Sequence, residues 1–476
     1  MTIKKIRSVG IIGGGPSGAI SLDSLIKEST FDKIVLFERK DNFGGTWRAD
    51  EPKQDIKVKP GSTPQEVDPP IPLPQEFENA DEELKVEIAE RVPRWDESPA
   101  TYRSLRTNVP ERIMTFSDDK KFPWLDQPNQ DELTTRESVE KYIINYIERL
   151  STNPSSNVEI FKNTHVERIL KKGEQWEVVI RSEVGNLDIW KKLFFDSIII
   201  ATGHYNVPQI PNVEGINEFI LSGRGQVLHS KGLIVNSKFQ NKKVIVIGSR
   251  SSASDTVREL KTFTNDIIWS VKDTSTTFFA GHKLSRTPET LRKPPISKYV
   301  VQDDTTTVFF EDGSSAKNPD YVIYATGYFF SYPFLQDYNS NLTPQGKIIK
   351  GLYQHTFYIK DPSLSFVGTP IDGMSFRVFE IQAILVARYL AGKIKLPSVQ
   401  EQEQWHKERL EKYGISRLFH TTGQDPALIY IDNLIKLGGG YDSINGTGKP
   451  FPKFSELDLE IYEANKKQLT ERWSLT

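Results

Sequence analysis

The stretch Ser8-Val-Gly-Ile-Ile-Gly-Gly-Gly-Pro-Ser-Gly18, followed by Lys33-Ile-Val-Leu-Phe-Glu38, decides the fold of this chain. The apolar run from Ile6 to Ile12 reads as a short buried parallel strand ending in glycine. A helix is predicted from about Pro16 to Lys27 and a second strand from Lys33 to Glu38, so the chain opens as a βαβ unit. Between the first strand and the helix stands Gly13-Gly14-Gly15-Pro16-Ser17-Gly18, a GxGxxG pattern. Gly13 permits the tight turn, Gly15 lets a pyrophosphate approach the backbone, and Gly18 lets helix and strand pack closely. The helix N-terminus then offers unpaired N–H groups and a favourable dipole to the phosphates. Glu38 ends the second strand 20 residues after Gly18, where a carboxylate can accept hydrogen bonds from ribose hydroxyls. A glycine turn without a ligand is the plain alternative. Strand, helix and acid together point instead to a dinucleotide site.

Outward from this unit, residues 50–97 are rich in Pro, Glu and Asp and read as a surface excursion with one helix, Glu82 to Arg91. Glu137 to Leu150 has helical spacing, and Val158 to Ile180 partly alternates, as in a small antiparallel sheet. Phe195 to Gly203 is a buried strand ending in Ala-Thr-Gly. A second βα unit begins at Lys243-Val-Ile-Val-Ile-Gly248, followed by a strand from Asp266 to Lys272. Strands near Val300 and Val308 precede Tyr321 to Gly327, which again ends in Ala-Thr-Gly. Leu364 to Gly368 and several helices complete the chain. The expected class is α/β, with two nested Rossmann-like dinucleotide-binding domains: one on residues 1–212 and 329–476, the other inserted at 213–328.

The second loop is Gly248-Ser-Arg250-Ser251-Ser252-Ala253-Ser254-Asp255. Ala253 is an accepted third residue of the pattern, but Arg250 stands where the middle glycine belongs. Its side chain turns away from the phosphates, clamps them, or blocks the site; the sequence leaves these three open. Ser251 and Ser252 add hydroxyl donors at the helix start. The next strand ends at Ser270-Val-Lys272, and a hydroxyl and a cation there suit the 2′-phosphate of NADP, with a solvated lysine as the alternative.

At 476 residues the chain needs more than one core. Net charge is -2, which argues against nucleic acid as a partner. There are no cysteines, so disulfides, thiolate metal sites and dithiol relays are excluded. No apolar stretch is long enough for a membrane; the nearest, Val378 to Ala391, is interrupted by Glu380, Gln382 and Arg388 and reads as a partly buried helix. The expectation is a cytoplasmic protein, with attachment to the endoplasmic reticulum and a homodimer left open. The seven histidines are scattered, and no Ser-His-Asp order or HExxH appears.

Further motifs give the reading a family. Gly44-Gly45-Thr46-Trp47 follows Glu38 at the offset of a frequent FAD-side companion, with core packing of Trp47 as the alternative. Leu105-Arg-Thr107-Asn108-Val109-Pro110 resembles the segment carrying the active-site asparagine of the flavin-containing monooxygenases. Ala-Thr-Gly-Tyr at 325–328 and the Gly368 to Gln382 region match that family in place and type. Its FxGxxxHxxxF element is only half present: Gly225, His229 and Ser230 match, while Gly223 and Leu233 replace aromatics. The whole chain resembles this family, most nearly its fungal, thiol-oxidising branch. The resemblance implies FAD at the first loop and NADPH at the second. It further implies O₂ as co-substrate, a C4a-hydroperoxyflavin, and oxygen transfer to a small soft nucleophile such as a thiol.

On that reading Asn108 is the key polar side chain, since its amide can both donate and accept; a turn residue is the alternative. Gln382 is a second polar candidate beside the flavin. His229 either shapes the nicotinamide side or is structural. A Baeyer–Villiger monooxygenase would share both loops but usually has Trp at the place of Leu233. A disulfide reductase needs cysteines, and a non-enzymatic FAD-fold protein would fit Arg250 as a blocked site.

Overall fold

The computed structural model describes residues 5–52, 55–78, 83–88, 95, 98–123, 133–152, 157–272, 290–371, 373–422 and 425–475, without the side chains of 425–427 and 466–475. The opening unit forms as read: β1 (Ser8–Ile12), α1 (Pro16–Glu28) and β2 (Lys33–Phe37), with β1 and β2 parallel. β1 also pairs in parallel with Ser197–Ile200, placing the first Ala-Thr-Gly beside the glycine loop. Seven strands make this sheet, in the order Leu352–Tyr353, Phe357–Tyr358, Leu364–Phe366, Ser197–Ile200, β1, β2, Val158–Phe161. Its strands are apolar on both faces because both are covered. One face packs on α1 and the helices Arg136–Ser151 and Ser375–Leu390; the other meets Trp176, Phe330 and Leu335.

A second sheet of five parallel strands runs in the order Gln226–His229, Tyr321–Tyr324, Val244–Ile247, Ile267–Ser270, Leu291–Lys293. Ser251–Leu260 is the helix behind the second loop. A two-stranded ribbon, Val207–Pro208 with Tyr328–Phe329, joins the stretches that lead into and out of this unit.

Three expectations need correction. Where a helix is predicted over Glu82–Arg91, the described part is a strand, Glu83–Glu87, antiparallel to Leu187–Phe195. Leu84 and Val86 share one face and pack on Phe77 and Trp190, a period of two that the charged neighbours obscure. Val158–Phe161 leaves the antiparallel group and extends the parallel sheet beside β2. The helix Ser375–Leu390 is buried nearly all round, Glu380, Gln382 and Arg388 included. Each has internal partners: Arg388 donates to the carbonyls of Gly438 (2.6 Å), Gly440 (3.0 Å) and Asp442 (2.8 Å).

Candidate functional site

Both glycine loops open into one cavity of about 1160 Å³, more than the ~300–1,000 Å³ of an ordinary small-molecule cleft. At the first loop the stereochemistry matches the sequence reading. Gly13 has φ +111, and a Cβ there would stand 2.7 Å from the Ala201 carbonyl oxygen. A Cβ on Gly18 would lie 1.9 Å from the Gly13 oxygen, so only glycine lets α1 start this close to β1. Gly15 faces Gly45: a Cβ on Gly45 would come within 2.8 Å of the Gly15 Cα. The Gly44 N–H donates to Gly14 O at 3.0 Å, which seats the Gly-Gly-Thr-Trp turn on the loop. α1 begins at Gly15 with no side-chain cap and Pro16 in its first turn, leaving backbone N–H groups for a ligand at the cavity. The buried Glu38 carboxylate accepts the N–H of Gly14 (2.7 Å) and of Lys40 (2.8 Å). Each oxygen keeps a lone pair for a hydroxyl.

Beside Glu38, Asp50 is held between Arg48 and Lys40. Burial would raise its pKa, but the hydrogen bonds and charges of those two cations outweigh it and bring it to about 2. Asp50 therefore stays ionised near neutrality.

At the second loop Gly248 has φ +139, and a Cβ would meet the Ala325 oxygen at 2.5 Å. Arg250 caps the helix at φ −126, ψ −176, an extended conformation open to any residue. Arg250, Ser251 and Ser252 line the cavity, and no side chain caps the helix start. Ser270 and Lys272 lie on the same wall. The Ser270 hydroxyl donates to Pro294 O (3.0 Å), and Lys272 is exposed.

Asn108 and Val109 line the cavity near Trp47. Thr107 stands behind them, its N–H on Thr134 O (2.8 Å) and its Oγ1 accepting the Thr134 N–H (3.1 Å). The Asn108 carbonyl accepts from Asn465 Nδ2 at 3.2 Å.

Gly18, Ala253, Ser254, Asp255 and Gln382 are also off the cavity wall. Gln382 is fully buried, with its Oε1 accepting the Gly368 N–H (3.0 Å) and its Nε2 donating to Thr356 Oγ1 (2.9 Å). It shapes the wall from behind. Asp255 pairs with Arg258 (2.6 Å) and accepts from the Tyr102 hydroxyl. Burial, with the Glu259 charge adding and Arg258 opposing, pushes its carboxyl up to about 6. His229 is fully buried: Nδ1 accepts the Lys231 N–H (2.9 Å), so Nε2 donates to Gly327 O (3.0 Å). Burial, chiefly, brings its pKa down to about 3. These bonds give it a structural place.

Several wall residues carry no local signal in the sequence. Lys231 donates to the backbone and side-chain oxygens of Asn206 (2.7 and 2.8 Å). Asn465 comes from the C-terminal helix, 357 residues from Asn108. The histidines, scattered in sequence, are partly gathered in space. His420 Nε2 accepts the Ile349 N–H (2.9 Å), so its Nδ1 donates to His355 Nδ1 at 3.0 Å. Burial lowers both pKa values, keeping the pair neutral.

Residues 93–281 and 295–444 match the family described as flavin-binding monooxygenase-like. The chain belongs to that family. It is an FAD-dependent monooxygenase, with FAD and NADPH as cofactors. Among curated relatives, a flavin-containing monooxygenase of Aspergillus flavus is 26% identical, covering 87% of this chain and 88% of its own. A thiol-specific monooxygenase of Saccharomyces cerevisiae is 27% identical, covering 83% of this chain and 80% of its own. The S-allyl-L-cysteine S-oxygenase of Allium sativum shares the fold: TM-score 0.73 at 24% identity, covering 98% of this chain and 93% of that one. Among the described residues no helix is long and apolar enough to cross a membrane.

Proposed function

We propose that this family member is an NADPH- and O₂-dependent oxygenase of small soft nucleophiles, thiols and thioethers first among them. One observation carries the reading: both glycine loops and Asn108 open onto the same cavity. For a thioether the balance is NADPH, H⁺, O₂ and sulfide giving NADP⁺, water and sulfoxide. A relative named for thiol specificity supports sulfur as the acceptor.

Residues 213–328 form the inserted coenzyme domain in this reading, and 1–212 with 329–476 the flavin domain. Gly13 to Ser17 take the FAD pyrophosphate on the start of α1, Glu38 its ribose, and Gly45, Thr46 and Trp47 the flavin end. Gly248, Ser251 and Ser252 take the coenzyme phosphates, with Ser270 and Lys272 near the 2′-phosphate. The flavin supplies the redox and oxygen-activating chemistry when bound. The chain positions its partners and keeps water out. Asn108 presents an amide donor to the oxygen being transferred, and Asn465 holds its backbone in place.

The test is direct. The purified protein should be yellow, bleach anaerobically with NADPH, and on aeration give sulfoxide from a thioether in proportion to NADPH consumed. Bleaching followed by hydrogen peroxide alone, with every soft nucleophile tried, would reject the oxygenase reading.

A further inference from the structure

Neither glycine loop accounts for one stretch of the cavity wall. It lies on the ribbon Val207–Pro208/Tyr328–Phe329, where Tyr328 opposes Pro208 and Phe329 opposes Val207. The 3-10 turn Pro344–Gly346 is locked onto this ribbon. The Phe330 N–H donates to Gly346 O (2.8 Å), and a Cβ on Gly346 would collide with the Phe329 ring. These contacts fix the backbone from which the next residue, Lys347, departs. Its Nζ donates to Gln209 Oε1 and lies 5.7 Å from the centroid of the Phe329 ring. Lys347, Gln209, Tyr328 and Phe329 all line the cavity.

Lys347 is unusual in what it lacks. A lysine drawn from water is ordinarily matched by a carboxylate. Here its contacts are a neutral amide and a ring face, and among the described residues no carboxylate forms an ion pair with it. The charged side chain felt most strongly is another cation, Arg417, on the same cavity wall. Burial first, and then Arg417, lower the pKa of the amine, the direction expected of a cation without a counter-charge. Two cations on one low-dielectric wall attract an anion. The Gln209 amide adds a donor: with Oε1 on Lys347, its Nε2 remains for a second oxygen.

We propose that Lys347 and Gln209 anchor a carboxylate on the substrate, so that the enzyme favours anionic thiols and thioethers over neutral ones of the same size. This rests on the oxygenase reading above. The other source of an anion is a coenzyme phosphate. In the proposed assignment Lys272, Ser251 and Ser252 serve that need at the second loop, while Lys347 follows the turn packed on the connecting ribbon.

The experiment uses FAD-loaded wild type, Lys347→Met and Lys347→Arg, with methylthioacetate and its methyl ester as paired thioethers. One hydrogen bond to a charged group is worth about 10- to 100-fold in kcat/KM. The wild-type preference for acid over ester should fall by about that factor in the Met variant, mainly through KM, and largely survive in the Arg variant. Flavin content and KM for NADPH should hold. Equal losses with both thioethers would overturn the proposal. So would a higher KM for NADPH with the acid/ester ratio intact, which moves Lys347 to the coenzyme phosphate. If wild type oxygenates neither compound, these two thioethers are not its substrates, and the oxygenase reading is decided separately by the wider set of soft nucleophiles. Titrating the flavin spectrum with methylthioacetate then decides the anchor, since binding must weaken in Lys347→Met. If that variant does not fold, salt decides: the wild-type acid/ester ratio must shrink as ionic strength rises, and a salt-independent ratio refutes the anchor.

Discussion

Replacing Asp255 by Asn separates two roles for the helix behind the second loop. The sequence pattern places Asp255 beside the coenzyme; in the structure it is buried away from the cavity, under Tyr102 and paired with Arg258. Its carboxyl is raised from 3.8 to about 6. At ~1.4 kcal/mol per pKa unit, holding it ionised costs about 3 kcal/mol. The Tyr102 hydroxyl, donating to the ionised form, offsets roughly 1 kcal/mol of that. About 2 kcal/mol remains. For a carboxyl raised on folding, the native state binds the proton more tightly than the unfolded chain. Stability from this group therefore falls as pH rises from about 4 to about 6, and the full cost stands above that window.

Asn keeps the shape and a hydrogen-bond acceptor for Tyr102 but removes the charge. It also loses the ion pair to Arg258, whose opposing pull is already contained in the value of about 6. Asp255→Asn should thus be more stable than wild type by about 2 kcal/mol at pH 8, with the advantage vanishing near pH 4. The assay is the difference in melting temperature between FAD-loaded variant and wild type across that range, in which titrations common to both cancel. A second tie, from the Ser104 hydroxyl to Glu259, persists in the variant, so the helix should stay docked and KM for NADPH should change less than twofold. A pH-independent difference would refute the buried-charge argument. A tenfold rise in KM would return Asp255 to the coenzyme site.

Four other outcomes are expected. Gly18→Ala places a Cβ 1.9 Å from Gly13 O, so the loop must shift at a cost of ~1–3 kcal/mol; the protein should purify with little flavin, and full flavin absorbance would contradict the assignment. Asn108→Ala should keep FAD and its reduction by NADPH, while product per peroxide falls by one to two orders of magnitude for a lost bond of about 1.5–3 kcal/mol; an unchanged ratio would leave Asn108 a turn residue. Lys272→Ala should raise KM for NADPH by about tenfold with a smaller effect on NADH, and equal effects would mean a structural role. Lys449→Met removes the cation shared by Asp23 (2.7 Å), Asp118 (2.9 Å) and Glu380 (3.1 Å); urea unfolding should show a loss of ~3–5 kcal/mol, and less than 1 kcal/mol would show the acids do not depend on it.

What could be read without coordinates was what chain stereochemistry enforces locally. Gly18 answers to a collision with the Gly13 oxygen inside its own βα unit, and Gly13 and Gly248 to the positive φ that each turn demands, so spacing alone exposes them. The run Ser8–Ile12 is apolar because both faces of its sheet are covered, which leaves a mark on composition. Glu83–Glu87 shows the opposite case: its charges suit a helix, and pairing with Leu187–Phe195 decides otherwise. Asn465 beside Asn108, Lys347 on the ribbon and the Tyr102–Asp255 tie depend on contacts across 138 to 357 residues. No window of sequence contains both partners of any of these.

The two loops also differ for a reason that bears on their use. In the first, a Cβ on Gly15 would press on the Gly45 Cα at 3.3 Å and one on Gly45 would come within 2.8 Å of Gly15, so recognition there falls to backbone N–H groups and one carboxylate. In the second, only Gly248 is sterically compelled, and the position equivalent to Gly15 has an extended φ that accepts Arg250. Arg250, Ser251 and Ser252 can therefore offer a cation and hydroxyls where the first loop offers bare backbone. A backbone cradle clamped by a neighbouring turn suits a resident group that must be held rigidly. Flexible side chains around a helix start suit a charged coenzyme that arrives, reacts and leaves. Under the proposed assignment the departure from the glycine pattern at Arg250 is thus a change in the means of binding phosphate rather than its loss.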